Sequence, residues 1–157
     1  PLINNKEDAE KFTNACFYPP KGKRSFGPTL VNIDQDNYYD RGNREILSIS
    51  MVETKESVDN LHDILKNDSL DMIYVGPYDL SISYGFKPDK VFVEEQMLSI
   101  YKQILKTSKK FKKKAAIHCS GADTGNFFLK MGFDMVTLST DLNLLNKVLL
   151  DELKKMK

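Results

Sequence analysis

Two carboxylates in this chain stand where chemistry is possible. Glu53 closes the apolar run Leu47-Ser-Ile-Ser-Met-Val52, and Asp79 follows the run Met72-Ile-Tyr-Val75 after Gly76-Pro77-Tyr78. Each run reads as a buried strand, with a short helix between them. In such a strand–helix–strand unit both strands point the same way. Both acids therefore belong to the carboxyl ends of their strands, where α/β folds place their chemistry. Two convergent carboxylates with little else nearby suit a hard divalent cation, which prefers oxygen ligands. A plainer reading stays open: an acid after a strand is often only a helix N-cap, and Asp79 ahead of Leu80-Ser81 fits that role.

The remaining reactive residue types carry less. His62 lies off the apolar face of its helix and reads as a surface residue. Cys16 and Cys119 have no metal-ligand or disulfide spacing, which favours a reducing, cytoplasmic compartment. Arg24 could contact an anion or pair with a surface acid. The basic run Lys109-Lys110-Phe-Lys112-Lys113-Lys114 reads as a solvated helix end.

The elements that position these residues follow in order. Asn5 caps a helix reaching Ala15, with Ala9, Phe12, Ala15 and Cys16 on its inner face. Residues 17–29 form a loop, since Pro19-Pro20 cannot continue a helix. Residues 32–43 are polar, a short helix or a loop. Strands are predicted over 45–53, 71–76, 114–119 and 135–138. Between them lie a helix over 56–66 capped by Thr54, a turn or short helix at 79–85, and the longest helix over 91–111. Val93, Met97, Ile100, Tyr101, Ile104, Leu105 and Ser108 make the stripe of that longest helix. A helix over 123–131 ends at Gly132. Leu142, Leu145, Leu149 and Leu153 line a closing helix.

Four strand–helix units mean α/β with a parallel sheet, either half of a (β/α)8 barrel or a small doubly wound sheet. Pro1-Leu2-Ile3-Asn4 resembles the tail of a strand whose start lies upstream. That favours the barrel, and suggests that residues 1–157 are a single domain from the carboxyl-terminal part of a longer protein. Half a barrel leaves an open edge near Ile46–Val52 for the rest of the barrel or a partner to cover.

The chain has 157 residues, 41% hydrophobic and 29% charged, enough for one domain with a real core. Its net charge of +1 gives no field for nucleic acid or a membrane surface. No apolar run is long enough to span a bilayer.

With these motifs placed, the sequence resembles the HpcH/HpaI aldolase family. Phe17-Tyr-Pro-Pro-Lys-Gly-Lys-Arg-Ser-Phe-Gly-Pro28 is similar to the family's YPPxGxRSxGP loop. Met51-Val-Glu-Thr54 resembles its strand ending in (I/V)ET, and Val75-Gly-Pro-Tyr-Asp-Leu-Ser81 with Gly85 its GPxDLSxxxG. Ala116-Ile-His-Cys119 and Gly132-Phe-Asp-Met-Val136 with Asp141 resemble the last two strand units of one subgroup. Nearly the whole chain is covered, in order.

The resemblance implies the carboxyl-terminal portion of a (β/α)8 TIM barrel, with about four parallel strand–helix units. It implies a carbon–carbon lyase that cleaves or forms a 4-hydroxy-2-oxo acid through a pyruvate enolate. Its partners would be pyruvate, or a similar 2-oxo acid, and an aldehyde, in a homo-oligomer. Glu53 and Asp79 would hold a divalent cation (Mg2+, Mn2+ or Co2+) that polarises the keto oxygen. The backbone amides of Tyr78 and Asp79 would hold the pyruvate carboxylate. Met51 stands where the family often has a substrate-contacting glutamine. Pro28 stands where some members have a serine that supplies an amide, which proline lacks. The family's catalytic histidine and arginine lie in an earlier region, so no catalytic residue is expected within this chain. A CoA-thioester lyase of the citrate or malyl-CoA type, and a non-catalytic half-barrel, are the alternatives.

Overall fold

The computed structural model describes residues 1–27, 30–34 and 37–156, with the side chains of Asn32 and Asp34 left aside. Helix α1 (Lys6–Cys16) begins where Asn5 Oδ1 accepts the Asp8 N–H at 2.9 Å. Ala9 and Thr13 form its buried face, Phe12 packs half-buried against the core, and Ala15, expected inside, is exposed. The following loop is anchored rather than loose. Phe17 and Tyr18 are buried, and Asn43 takes the Tyr18 N–H at 2.7 Å and donates to the Tyr18 carbonyl at 3.0 Å. At Gly22 the chain doubles back so tightly that a Cβ would sit 2.4 Å from the Phe17 carbonyl oxygen.

The polar stretch after the loop forms α2 (Val31–Asp34) and α3 (Tyr38–Glu45). Glu45 ends a helix, so the first strand is shorter than predicted: β1 is Ile49–Val52. The expected 56–66 helix is two pieces, α4 (Lys55–Asp59) and α5 (Leu61–Leu65). They meet at Asn60, whose side chain donates to the Asn4 carbonyl at 2.9 Å. Then come β2 (Met72–Val75), α6 (Pro77–Ser83), a 3-10 turn at Pro88–Lys90 and α7 (Glu95–Lys110). Val93 precedes α7 and is exposed, so the stripe starts at Met97. The chain closes with β3 (Lys114–His118), α8 (Ala122–Met131), β4 (Met135–Thr137) and α9 (Asp141–Lys155). Gly132 ends α8 at φ +115°, a conformation glycine adopts without strain.

The four strands are parallel and lie in chain order. A doubly wound sheet reverses its strand order midway, so the uninterrupted order is that of a (β/α)8 barrel. Val52 pairs with Val75, Val75 with Ile117, and His118 with Thr137. Ser48 sets the start of this register: its N–H donates to Asp71 Oδ2 at 2.7 Å, and its hydroxyl donates to the Ser69 carbonyl.

Strand alternation divides the sheet into two faces. Val52, Ile73, Val75 and Ile117 pack with Ile64, Leu65, Leu80 and Ile104 of the helices, all fully buried or nearly so. Each such side chain contributes about 1.5–3 kcal/mol of transfer free energy. Met51, Tyr74, His118 and Thr137 occupy the opposite face, which in a barrel is the interior; all four are half-buried. The α9 leucines pack differently from expectation. Leu142, Leu145, Leu149 and Leu153 are all more than half exposed, and α9 buries no residue.

The amino-terminal segment runs along the open side of β1, where the Ile3 N–H donates to the Met51 carbonyl at 3.4 Å. Among the described residues, no helix is long and apolar enough to cross a membrane.

Candidate active site

Glu53 and Asp79 line one cavity of about 400 Å³, together with Pro1, Leu2, Thr54 and Ile82. The arrangement follows from the register. Val52 and Val75 are partners, so Glu53 and Gly76 lie side by side just past the strand ends, and Asp79 sits one turn further on. Glu53 is 6% exposed, unusually buried for an acid. Its Oε1 accepts the Leu2 N–H at 2.6 Å. Its Oε2 lies over Gly76, where a Cβ would come within 3.0 Å of it. Immediately after Glu53, Thr54 caps α4 in a reciprocal capping box with Ser57, which fixes the backbone that carries the carboxylate.

Asp79 is not an N-cap. Gly76 holds that position and Pro77 is the first residue of α6, leaving Asp79 in the first turn. Its carboxylate makes no hydrogen bond or ion pair among the described residues and is exposed to the cavity. The first backbone amide satisfied within α6 is that of Leu80, which donates to the Gly76 carbonyl at 3.0 Å. The amides of Tyr78 and Asp79 have no backbone acceptor among the described residues, as expected at a helix start.

Among the described residues, no three histidine, cysteine or acidic side chains gather in one place. The acids on the cavity wall are Glu53 and Asp79. Two carboxylates are donors of the kind that suits a hard divalent cation keeping water or substrate oxygens in its remaining positions.

The other expected site residues are dispersed. Met51 stands under Gly76, its Sδ 3.4 Å from where a Cβ would be. The Tyr78 ring lines a second cavity of about 670 Å³, resting 5.8 Å from the Phe92 ring and 6.1 Å from the His118 ring. Pro28 lies outside the described residues. Arg24 makes no ion pair with an acid among the described residues: it stacks over Tyr18 at 4.6 Å and donates to the Tyr38 hydroxyl at 3.0 Å. His62 is exposed, with its ring edge on Phe111. Burial pushes the Cys119 thiol up to about 11 and raises that of Cys16, so neither is an activated nucleophile.

One cluster was not singled out from the sequence. The Tyr74 hydroxyl lies 2.6 Å from Thr137 Oγ1 and 3.2 Å from His118 Nδ1, and that nitrogen is 2.8 Å from Thr137 Oγ1. The residues come from β2, β3 and β4 and meet only once strand register is known. Their shared feature in sequence is a polar side chain on an interior-facing strand position.

Comparison with known proteins supports the same fold. The model of the HpcH/HpaI aldolase/citrate lyase family matches residues 1–147. A hydroxypyruvate/pyruvate aldolase from Rhizorhabdus wittichii is 29% identical over 147 residues, covering 93% of this chain and 59% of the relative. The solved structure of an HpcH/HpaI aldolase/citrate lyase family protein from Burkholderia cenocepacia superposes with a TM-score of 0.86 at 21% identity. It covers 99% of this chain and 62% of its own. A citrate synthase structure superposes with a TM-score of 0.80 at 24% identity, covering 99% of this chain and 60% of that one. The chain spans about three-fifths of the length of the two hydroxypyruvate/pyruvate aldolases it matches.

Proposed function

Because the chain belongs to the HpcH/HpaI aldolase/citrate lyase family, we propose that it carries the cation-binding half of an aldolase acting on 2-oxo acids. The observation that supports this most is the pairing of Glu53 and Asp79 on one cavity wall at the carboxyl ends of adjacent parallel strands. The reaction is cleavage or formation of the C3–C4 bond of a 4-hydroxy-2-oxo acid. On cleavage the bonding pair stays with the pyruvate fragment as its enolate, the C4 hydroxyl proton leaves, and C4 becomes the aldehyde carbon. A proton added at C3 then gives pyruvate.

Glu53 and Asp79 would hold a divalent cation. Such an ion supplies Lewis-acid polarisation of the keto oxygen and offsets the negative charge that develops there. Glu53 is poised for this role by burial and by the Leu2 amide, which orients one oxygen and leaves the other on the Gly76 side. The Tyr78 and Asp79 amides would receive the substrate carboxylate, since neither has a backbone acceptor within the described structure. Met51 and Pro28, which carry neither a side-chain amide nor a free N–H at those positions, would leave substrate binding to these two amides.

The test is deuterium exchange into the methyl group of pyruvate by the complete protein, followed by NMR with Mg2+ or Mn2+ and with chelator. Exchange needs enolisation but no aldehyde. Cation-dependent exchange is expected, together with pyruvate release from a 4-hydroxy-2-oxo acid. Full release in the presence of chelator would refute the reading.

A further inference from the structure

Glu53 is nearly buried, and among the described residues the hydrogen-bond donor to its carboxylate is the Leu2 N–H at 2.6 Å. The direction of that carboxylate therefore depends on where the Leu2 amide points. Leu2 does not hold the direction by itself. Its φ of +56° lies in the left-handed region that bulky side chains rarely adopt, so its neighbours must enforce it.

Ile3 is buried in the core, which holds the segment down without turning it. The Ile3 N–H reaches the Met51 carbonyl only at 3.4 Å, longer than an ordinary hydrogen bond. Asn4 is the firm point. Its side-chain oxygen accepts the Thr54 hydroxyl at 2.6 Å, its carbonyl accepts from Asn60 Nδ2 at 2.9 Å, and its N–H donates to Asp8 Oδ2 at 3.1 Å. The Thr54 oxygen in turn accepts the Ser57 N–H at 3.0 Å, which directs the hydroxyl proton to Asn4.

Thr54 follows Glu53 directly, so two hydrogen bonds close a ring. It runs from Leu2 through Ile3 to Asn4, across to Thr54, back along the chain to Glu53, and from the Glu53 carboxylate to the Leu2 amide. Leu2 and Thr54 line the same cavity as Glu53 and Asp79, so this ring is part of the site's wall.

We propose that Asn4 is a positioning residue for the Glu53 carboxylate. It acts through Thr54 and the Leu2 amide, and the proposal rests on the reading of Glu53 as a cation ligand. A carboxylate held at one oxygen presents the other in a fixed direction, whereas a loose one must be ordered when the ion arrives. Alanine at this position keeps the backbone partners of Asn60 and Asp8 and removes only the link to Thr54.

The experiment uses the complete protein. Calorimetric titration of the wild type with Mn2+ comes first; absence of binding removes the cation reading, and this proposal with it. Given binding, Mn2+ affinity, the thermal midpoint without cation, and hydrogen exchange of the 1–4 segment without cation are measured for the wild type, Asn4→Ala and Tyr101→Phe. Asn4→Ala is expected to weaken Mn2+ binding about fivefold and to speed exchange in the 1–4 segment about tenfold. Tyr101→Phe, a stability control outside the site, is expected to lower the midpoint and leave both quantities unchanged. A lower midpoint for Asn4→Ala with wild-type Mn2+ affinity or wild-type exchange makes its role merely structural and overturns the proposal, while leaving the cation reading intact. An equal loss of affinity in Tyr101→Phe overturns it too. Should Asn4→Ala fail to fold, Asn60→Ala, which frees the Asn4 carbonyl, decides: it is expected to change both quantities in the same directions, and no change in either overturns the proposal.

Discussion

Glu53 and Gly76 stand side by side past the ends of β1 and β2, so close that a Cβ on Gly76 would lie 3.0 Å from both the Cβ and the Oε2 of Glu53. A carboxylate and a hydrogen atom fill this space; a methyl group and a carboxylate cannot do so without movement. Gly76 has an ordinary negative φ of −90°, so what it provides here is room rather than an unusual backbone conformation.

Gly76→Ala is therefore expected to displace the Glu53 carboxylate and to weaken Mn2+ binding by about tenfold, a loss of about 1.4 kcal/mol. Calorimetric titration with Mn2+ checks it. Far-ultraviolet circular dichroism should stay unchanged, since alanine suits the φ at this position.

Glu53→Gln and Asp79→Asn keep shape and remove charge. Each is expected to lower cation-dependent pyruvate exchange by roughly 10²–10³, the scale seen when one electrostatic contact to a developing oxyanion is lost. Rates measured across a Mg2+ titration separate weakened binding from lost turnover. Wild-type rates in both variants would remove these residues from the site.

Cys119 gives the pH dependence a sign. Burial raises its thiol from 9.0 to about 11, so the unfolded chain releases this proton at a lower pH than the folded one. The stability contributed by the protonated buried thiol is complete below pH 9 and is lost as pH rises toward 11. Denaturation midpoints should fall over that window, and Cys119→Ala should flatten this part of the curve.

Tyr101 is fully buried, and its hydroxyl donates to the Val91 carbonyl at 3.0 Å, tying α7 to the turn before it. Burial raises its phenol far above the usual range, so the group stays neutral and acts as a donor. Tyr101→Phe is expected to cost about 1 kcal/mol. Thermal unfolding should show it as a lower midpoint, with pyruvate exchange retained.

Much of this structure was legible because it depends on local chemistry. Asn5 and Thr54 announce helix starts through side chains that reach only three residues ahead, and Gly132 ends a helix by its own conformational freedom. The places of Glu53 and Asp79 past the strand ends were legible because each follows a recognisable strand. What escaped is tertiary. The break at Asn60 depends on the Asn4 carbonyl, 56 residues away, and Arg24 is held by Tyr18 and Tyr38, which come near it only when the loop folds. The leucines of α9 follow a helical period faithfully, yet period says nothing about which neighbour, if any, covers them. The Tyr74–His118–Thr137 cluster needs the register of three strands, which hydrophobic pattern alone does not give.

The two faces of the sheet bear on how such a protein can evolve. Val52, Ile73, Val75 and Ile117 hold the helices on, while Met51, Tyr74, His118 and Thr137, one residue along each strand, do not belong to that packed layer. Mutations on the interior face thus draw little on the stability reserve held by the other face. Gly76 is constrained in another way, because a side chain there presses on Glu53. A lineage built on this sheet can vary its interior face long before it can relocate the pair of carboxylates.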